Sequence, residues 1–242
     1  MDPQRRFDPR GLCPWLAVVA ALLGSCTATP LPEPPAAGPD LGRVTAEESV
    51  GPLSNPEGAV QVSFVGGPGA ADPGSALRVT NLDDAGPATA TRVESDGSFR
   101  ISVVLQVGNE LRFETVRDGT RSAPSDALAQ EDFELLPSPR FDCVEVSPGL
   151  SLRVDAGGSG EWTVRNQCET PIQAAPASFR RGDRGFGVAD SGPLTVPPGS
   201  SRSFRILADE GVTPGTEDVW FVNLSVGDET VRYPLTIYTP AP

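Results

Sequence analysis

The chain has 242 residues, 32 acidic against 19 basic, and no histidine. A net charge of −13 repels phosphate backbones and argues against nucleic acid as a partner, while the missing imidazole excludes Ser-His-Asp and Cys-His catalysis and histidine-bound metals. Gly and Pro, 26 of each, make up about a fifth of the chain, which favours turns over helices, and all the basic residues are Arg.

Residues 1–11 carry Arg5, Arg6 and Arg10, and an apolar run follows from Leu12 to Leu23, interrupted by Pro14. As a helix that run reaches about 18 Å, short of about 30 Å of hydrocarbon. A positive start, a short apolar middle and a small-residue end describe a signal peptide over residues 1–25. It closes on Leu23-Gly24-Ser25-Cys26, which resembles the lipobox of bacterial lipoproteins. The resemblance implies cleavage after Ser25, a diacylglyceryl thioether on Cys26 and an acylated new amino group. Two or three acyl chains hold a protein on a membrane where one does not. In that family an Asp after the Cys retains the protein at the inner membrane; Thr27 implies the outer membrane. The alternative is an ordinary signal peptide with a chance Cys.

Residues 26–58 comprise Cys26 and a stretch holding seven prolines. Proline fixes φ and withholds a donor, so this segment reads as a linker that joins no sheet.

From Val60 the apolar period becomes two. Val60, Val62 and Phe64 alternate with polar residues, as do Leu77 and Val79. Phe99, Ile101, Val103 and Leu105 share one face, and Leu111 and Phe113 follow with Arg112 and Glu114 outward. Turn clusters separate these runs, and Asp96-Gly97 between two of them signals a hairpin. The pattern predicts an antiparallel β-sandwich over 59–136. The stretches "VQVSFVGGPGAADPGSALRVTNLDDAG" and "TATRVESDGSFRISVVLQVGNELRFETVRDGTRS" resemble bacterial Ig-like domains, a likeness that implies a fold and no activity.

A second sandwich is predicted over 137–242. Trp162, Val164 and Cys168 share a parity; Phe204 and Ile206 form a short strand; Trp220, Val222, Leu224 and Val226 pair in pattern with Val231, Tyr233, Leu235 and Ile237 across Gly227-Asp228. "WTVRNQCETPI" and "LTVPPGSSRSFRI" resemble Ig-like modules of bacterial and ciliary surface proteins. The fold class is therefore all-β: two Ig-like sandwiches after a signal peptide and a linker. Trp162 and Trp220 fall on apolar faces and read as core.

Cys13 leaves with the signal peptide and Cys26 is spoken for, so Cys143 and Cys168 remain as a pair. In an oxidising compartment they read as a disulfide at a sheet rim, joining the first strand of the second sandwich to the end of the Trp162 strand. Five adjacent carboxylate pairs, Asp83-Asp84, Glu131-Asp132, Asp209-Glu210, Glu217-Asp218 and Asp228-Glu229, read as solvated turns, and no run has the dense oxygen spacing of a calcium loop. "FRRGDRGFG" places Arg180, Arg181, Asp183 and Arg184 in a Gly-rich loop suited to an anionic partner, and its Arg181-Gly182-Asp183 resembles the integrin-binding tripeptide. No cofactor is expected. The leading reading is a lipid-anchored cell-envelope protein with a non-catalytic structural, adhesive or partner-binding role toward a protein or glycan. Its rivals are an envelope hydrolase using carboxylates only, and an accessory subunit of an envelope complex.

Overall fold

The predicted alternation becomes strand faces. The computed structural model describes residues 36–48, 58–182, 184–189 and 191–241. The signal peptide, Leu23, Gly24, Ser25, Cys26 and Asp183 lie outside the described residues.

Among the described residues the first sandwich comprises β1 (Val44–Glu48), β2 (Val60–Gly66), β3 (Ala76–Asn81), β4 (Thr89–Arg92), β5 (Phe99–Leu105), β6 (Glu110–Arg117), β7 (Thr120–Arg121), β8 (Ser125–Ala129) and β9 (Leu135–Pro137). One sheet runs β1-β2-β5; the other runs β4-β3-β6-β8-β9, with β7 on β6. Val62 and Phe64 of the first sheet and Phe99–Leu105 at alternate positions meet Leu77, Val79, Leu111 and Phe113 of the second. Phe64 packs edge-to-face on Phe113 at 5.9 Å, a geometry the ring quadrupoles favour. The Asp96-Gly97 turn forms, with Asp96 accepting the Ser98 N–H at 2.9 Å, but the hairpin expectation is corrected: β4 pairs with β3 and β5 with β2, so the turn carries the chain from one sheet to the other. Gly97 has φ +86°, and a Cβ there would stand 2.8 Å from Gly69 N and Ala71 O, so only glycine fits.

The second sandwich comprises β10 (Val144–Ser147), β11 (Ser151–Arg153), β12 (Ser159–Asn166), β13 (Ile172–Phe179), β14 (Phe186–Val188), β15 (Leu194–Val196), β16 (Ser201–Ala208), β17 (Glu217–Val226) and β18 (Glu229–Tyr238). Its sheets run β10-β12-β16-β14 and β11-β18-β17-β13-β15. β11 runs parallel to β18; the other described pairings are antiparallel. Trp162 and Trp220 are core residues, buried with Phe204 between the sheets. The Trp162 indole N–H donates to the Gly149 carbonyl at 2.8 Å, which satisfies its one polar atom. Cys143 and Cys168 form a disulfide. They stand just before β10 and just after β12, at the rim where Val144 faces Asn166.

The linker expectation is corrected over part of its length. Val44–Glu48 pairs antiparallel with β2, Val44 opposite Gly66 and Glu48 opposite Val62. Leu41–Glu48 contains no proline, so every N–H there is available to a ladder. Just upstream, the Asp40 N–H donates to the Ala70 carbonyl at 2.8 Å and the Ala36 carbonyl accepts from Ala123 N–H at 2.9 Å.

Both sandwiches belong to one compact unit, and they stack face to face. On β6, Leu111 and Phe113 enter the first core while Glu110, Arg112 and Glu114 point the other way; all five are buried. On β18, Tyr233, Leu235 and Ile237 enter the second core while Pro234 and Thr236 point back toward β6, also buried. The two inner sheets therefore sandwich a third buried layer, the seam.

Candidate functional site: the charged seam between the sandwiches

The seam begins with Arg112, whose side chain is completely buried. It spends all five guanidinium N–H donors. Nε and one Nη2 proton go to the two Asp126 oxygens at 2.7 and 2.8 Å. The rest go across the seam, to the Leu150 carbonyl at 2.9 Å, Thr236 Oγ1 at 2.7 Å and the Pro234 carbonyl at 2.6 Å. A buried guanidinium is tolerable only when paired and fully bonded, and this one is both. Alternation on β6 aims Arg112 away from its own core, and β18 supplies acceptors where water would otherwise be.

Around it runs a network of alternating sign. Arg140 bridges Glu110 and Asp126, both at 2.8 Å. Arg232 bridges Asp83 and Glu110, both at 2.8 Å, and its guanidinium lies 4.7 Å from the Phe221 ring. On the other side Arg121 holds Glu114 at 3.2 Å and also Glu217, and Glu217 takes Arg78 as well. Arg78, Arg112, Arg121, Arg140 and Arg232 thus face Asp83, Glu110, Glu114, Asp126 and Glu217, five charges of each sign. Leu82, Val219 and Phe221 add a small apolar cluster within the same layer.

The electrostatics follow from these neighbours. Burial alone would raise the Asp126 carboxyl, but the Arg112 and Arg140 guanidinia outweigh it and hold Asp126 below its ordinary value. Burial likewise opposes the Arg112 charge, and Asp126, Glu114 and Glu110 raise its pKa nonetheless. Glu217 is lowered in spite of burial by Arg121 and Arg78. Asp218 is the exception. Burial raises its pKa, and among the described residues its oxygens accept only backbone N–H groups, from Val219 at 2.7 Å and Arg181 at 3.0 Å.

This corrects three expectations. Arg112 and Glu114, expected outward, do face away from the first core, but they end beneath a second sheet. Glu217-Asp218, expected in a solvated turn, opens β17 inside the seam. The other four carboxylate pairs hold exposed residues. Arg180, expected in an exposed contact loop, is half-buried and crosses the seam. Its Nη1 donates to the Asn81 and Gly86 carbonyls at 2.9 and 3.0 Å and to that of Asp84. Burial and its neighbour Arg181 lower its pKa. Arg181 is also half-buried, while Arg184 is exposed with φ +46°.

Among the described residues no group of three or more His, Cys, Asp or Glu is arranged to hold a metal, and no helix is long and apolar enough to cross a membrane. A signal for the seam does exist in the sequence: Val219-Trp220-Phe221-Val222 is apolar at consecutive positions, as befits a strand buried on both faces.

No protein family and no curated protein matches the chain. Among solved structures, WR4, a C. elegans member of the MSP family, is 13% identical with a TM-score of 0.33, over 42% of this chain and 100% of that one. The E. coli chaperone DraB is 13% identical with a TM-score of 0.32, over 41% and 55%. The D0-D1 domain of intimin is 9% identical with a TM-score of 0.27, over 74% and 90%. Likeness at this level assigns neither family nor function.

Proposed function

We propose that the protein is anchored in the bacterial cell envelope through lipid on Cys26, at the outer membrane, and that the stacked sandwiches serve there as a non-catalytic binding or structural body. The observation that carries this reading is Leu23-Gly24-Ser25-Cys26 at the end of a short apolar run behind three arginines. Two features of the body agree with it. The Cys143–Cys168 disulfide suits an oxidising compartment. Most buried carboxylates are spent on guanidinia across the seam, an arrangement that fixes one sandwich on the other and holds Asp126 and Glu217 below their ordinary pKa values. A hydrolase using carboxylates alone needs one acid with a raised pKa facing a second across a cleft. Asp218, the acid raised by burial, is instead bonded to its own backbone surroundings.

The test is Cys26→Ser in the native host, followed by membrane fractionation and mass spectrometry of the amino-terminal peptide. The wild-type peptide is expected to carry a diacylglyceryl mass on Cys26, and the variant is expected to leave the membrane pellet. An unmodified wild-type terminus, or a variant that stays in the pellet, overturns the anchor.

A further inference from the structure

Among the described residues β5 ends its sheet, bonded to β2 on one side only. In an antiparallel ladder, alternate residues direct both backbone groups at the neighbour or away from it. Two observations fix the phase here. The Val104 carbonyl accepts from Asn81 Nδ2 of the opposite sheet at 3.2 Å, so it points away from β2. On β2, Val65 lies opposite Arg100 and offers its carbonyl to Thr45 of β1, so that pair does not bond across the β2–β5 ladder. Arg100, Ser102 and Val104 therefore turn their N–H and C=O groups to the open edge. Among the described residues no strand pairs with β5 on that side, and the Asn81 side chain meets the Val104 carbonyl there.

A cavity of about 230 Å³ lies along this edge, between Ser102–Val104 and the wall formed by Val79, Pro87 and Thr89. It adjoins a second of about 310 Å³ lined by Asp83, Asp84 and Asn109; Asn81, Asp84 and Val104 border both. Val104 is 43% exposed and Val107 54%. Proteins guard sheet edges with short strands, charges or proline. Here β1 carries Glu47 and Glu48, β9 ends on Pro137, and the edge strands of the second sandwich span three or four residues. β5 spans seven residues with one charge, Arg100, which Glu47 neutralises at 2.7 Å. The cavity walls carry two carboxylates, and among the described residues Arg180 reaches them only at the Asn81, Asp84 and Gly86 carbonyls. Asp83 is taken by Arg232; Asp84 makes no ion pair among the described residues.

We infer that the open edge of β5 accepts an extended basic segment of a partner protein as an added strand. Main-chain bonds to Arg100, Ser102 and Val104 give the affinity. Apolar side chains meet Val104, and one Arg or Lys meets Asp84. This rests on the binding role proposed above and not on the lipid anchor.

The probe is a fluorescent synthetic peptide, Thr-Val-Arg-Val-Thr-Val, titrated into the detergent-solubilised full-length protein, with amide hydrogen exchange as a second readout. Saturable binding is expected, with slowed exchange confined to residues 99–105. N-methylation at alternate peptide residues, or Arg replaced by Glu in the peptide, is expected to weaken binding at least tenfold. Ser102→Pro removes an outward N–H and no bond to β2, so the fold should survive by near-ultraviolet circular dichroism while binding is lost; Asp84→Asn should weaken binding about threefold. No saturation by 1 mM peptide, undiminished binding of the N-methylated peptide, or protection outside 99–105 overturns the inference. Crosslinking in intact cells separates the two readings: a dominant protein partner held equally by wild type and Ser102→Pro keeps the binding role and removes β5 as its site.

Discussion

Trp162 in the second core and Arg112 in the seam are both completely buried, yet their surroundings have nothing in common. Trp162 lies 6.0 Å from Phe204 and 6.1 Å from Trp220, in contacts that depend on shape and little on direction. Arg112 is held by five directed bonds, three of them to the other sandwich. A core gains from excluding water, and neighbours can shift to keep it filled. Apart from the small cluster of Leu82, Val219 and Phe221, the seam gains nothing from burial as such, since every charge moved out of water must find its partner there. Its product is register: one sandwich can sit on the other in only one way without orphaning a charge.

Trp162→Ala should therefore cost about 4 kcal/mol in urea unfolding, from lost transfer energy and a cavity that the flanking rings fill only in part. Arg112→Ala should cost about 3 kcal/mol for a different reason, because it leaves Asp126 buried with Arg140 alone. The contrast is broken by the double variant Arg112→Met with Asp126→Leu. An apolar pair of similar volume should restore most of the Arg112→Ala loss. If the double variant is as unstable as the single one, the seam contributes net stability through its charges and the distinction drawn here is wrong. Replacing Cys143 and Cys168 together by Ala should cost about 3 kcal/mol, since the crosslink closes a 25-residue separation in the unfolded chain.

The sandwiches were legible because alternation carries their cores: Val62 and Phe64, then Phe99, Ile101, Val103 and Leu105, and Tyr233, Leu235 and Ile237 face inward as their parity requires. The charged part of the seam was not, because parity cannot distinguish a residue that faces solvent from one that faces another sheet; the continuous apolar run Val219-Trp220-Phe221-Val222 is its one trace in the sequence. Arg112 and Glu114 read as surface for that reason. β1 was missed because the prolines at 30–39 and 52–56 dominated the composition of a window whose middle has none. Arg180 was missed as a seam residue because its acceptors are backbone carbonyls, which carry no side-chain signature.

Acid should separate the two kinds of interior more gently. Asp126 and Glu217 have folded pKa values below their unfolded ones. Their contribution is present above the unfolded values of about 4 and is lost as pH falls through the folded values. Asp218 works in the opposite sense. Its folded pKa is raised, so its contribution is full below the unfolded value and is lost as pH rises through the folded one. Asp218→Asn should therefore raise Tm at pH 7 relative to wild type, with the gain vanishing near pH 3. A gain independent of pH would mean that the charge of Asp218 is not what costs stability. Trp162→Ala should show the wild-type pH profile, displaced as a whole.

The smallest effect belongs to an ion pair with the same chemistry as Arg112–Asp126 and none of its setting. Arg153 and Asp155 meet at 3.2 Å with side chains 60% and 70% exposed. Water already solvates both, salt screens them, and ordering two long side chains costs entropy. Arg153→Ala should shift stability by no more than about 0.5 kcal/mol, and the shift should shrink further in 0.5 M NaCl. The same substitution chemistry at Arg112 should resist salt, because ions do not reach a layer closed on both sides by sheets. A salt response of equal size at the two positions would mean that solvent enters the seam, and the sandwiches would then be better described as neighbours than as one stacked body.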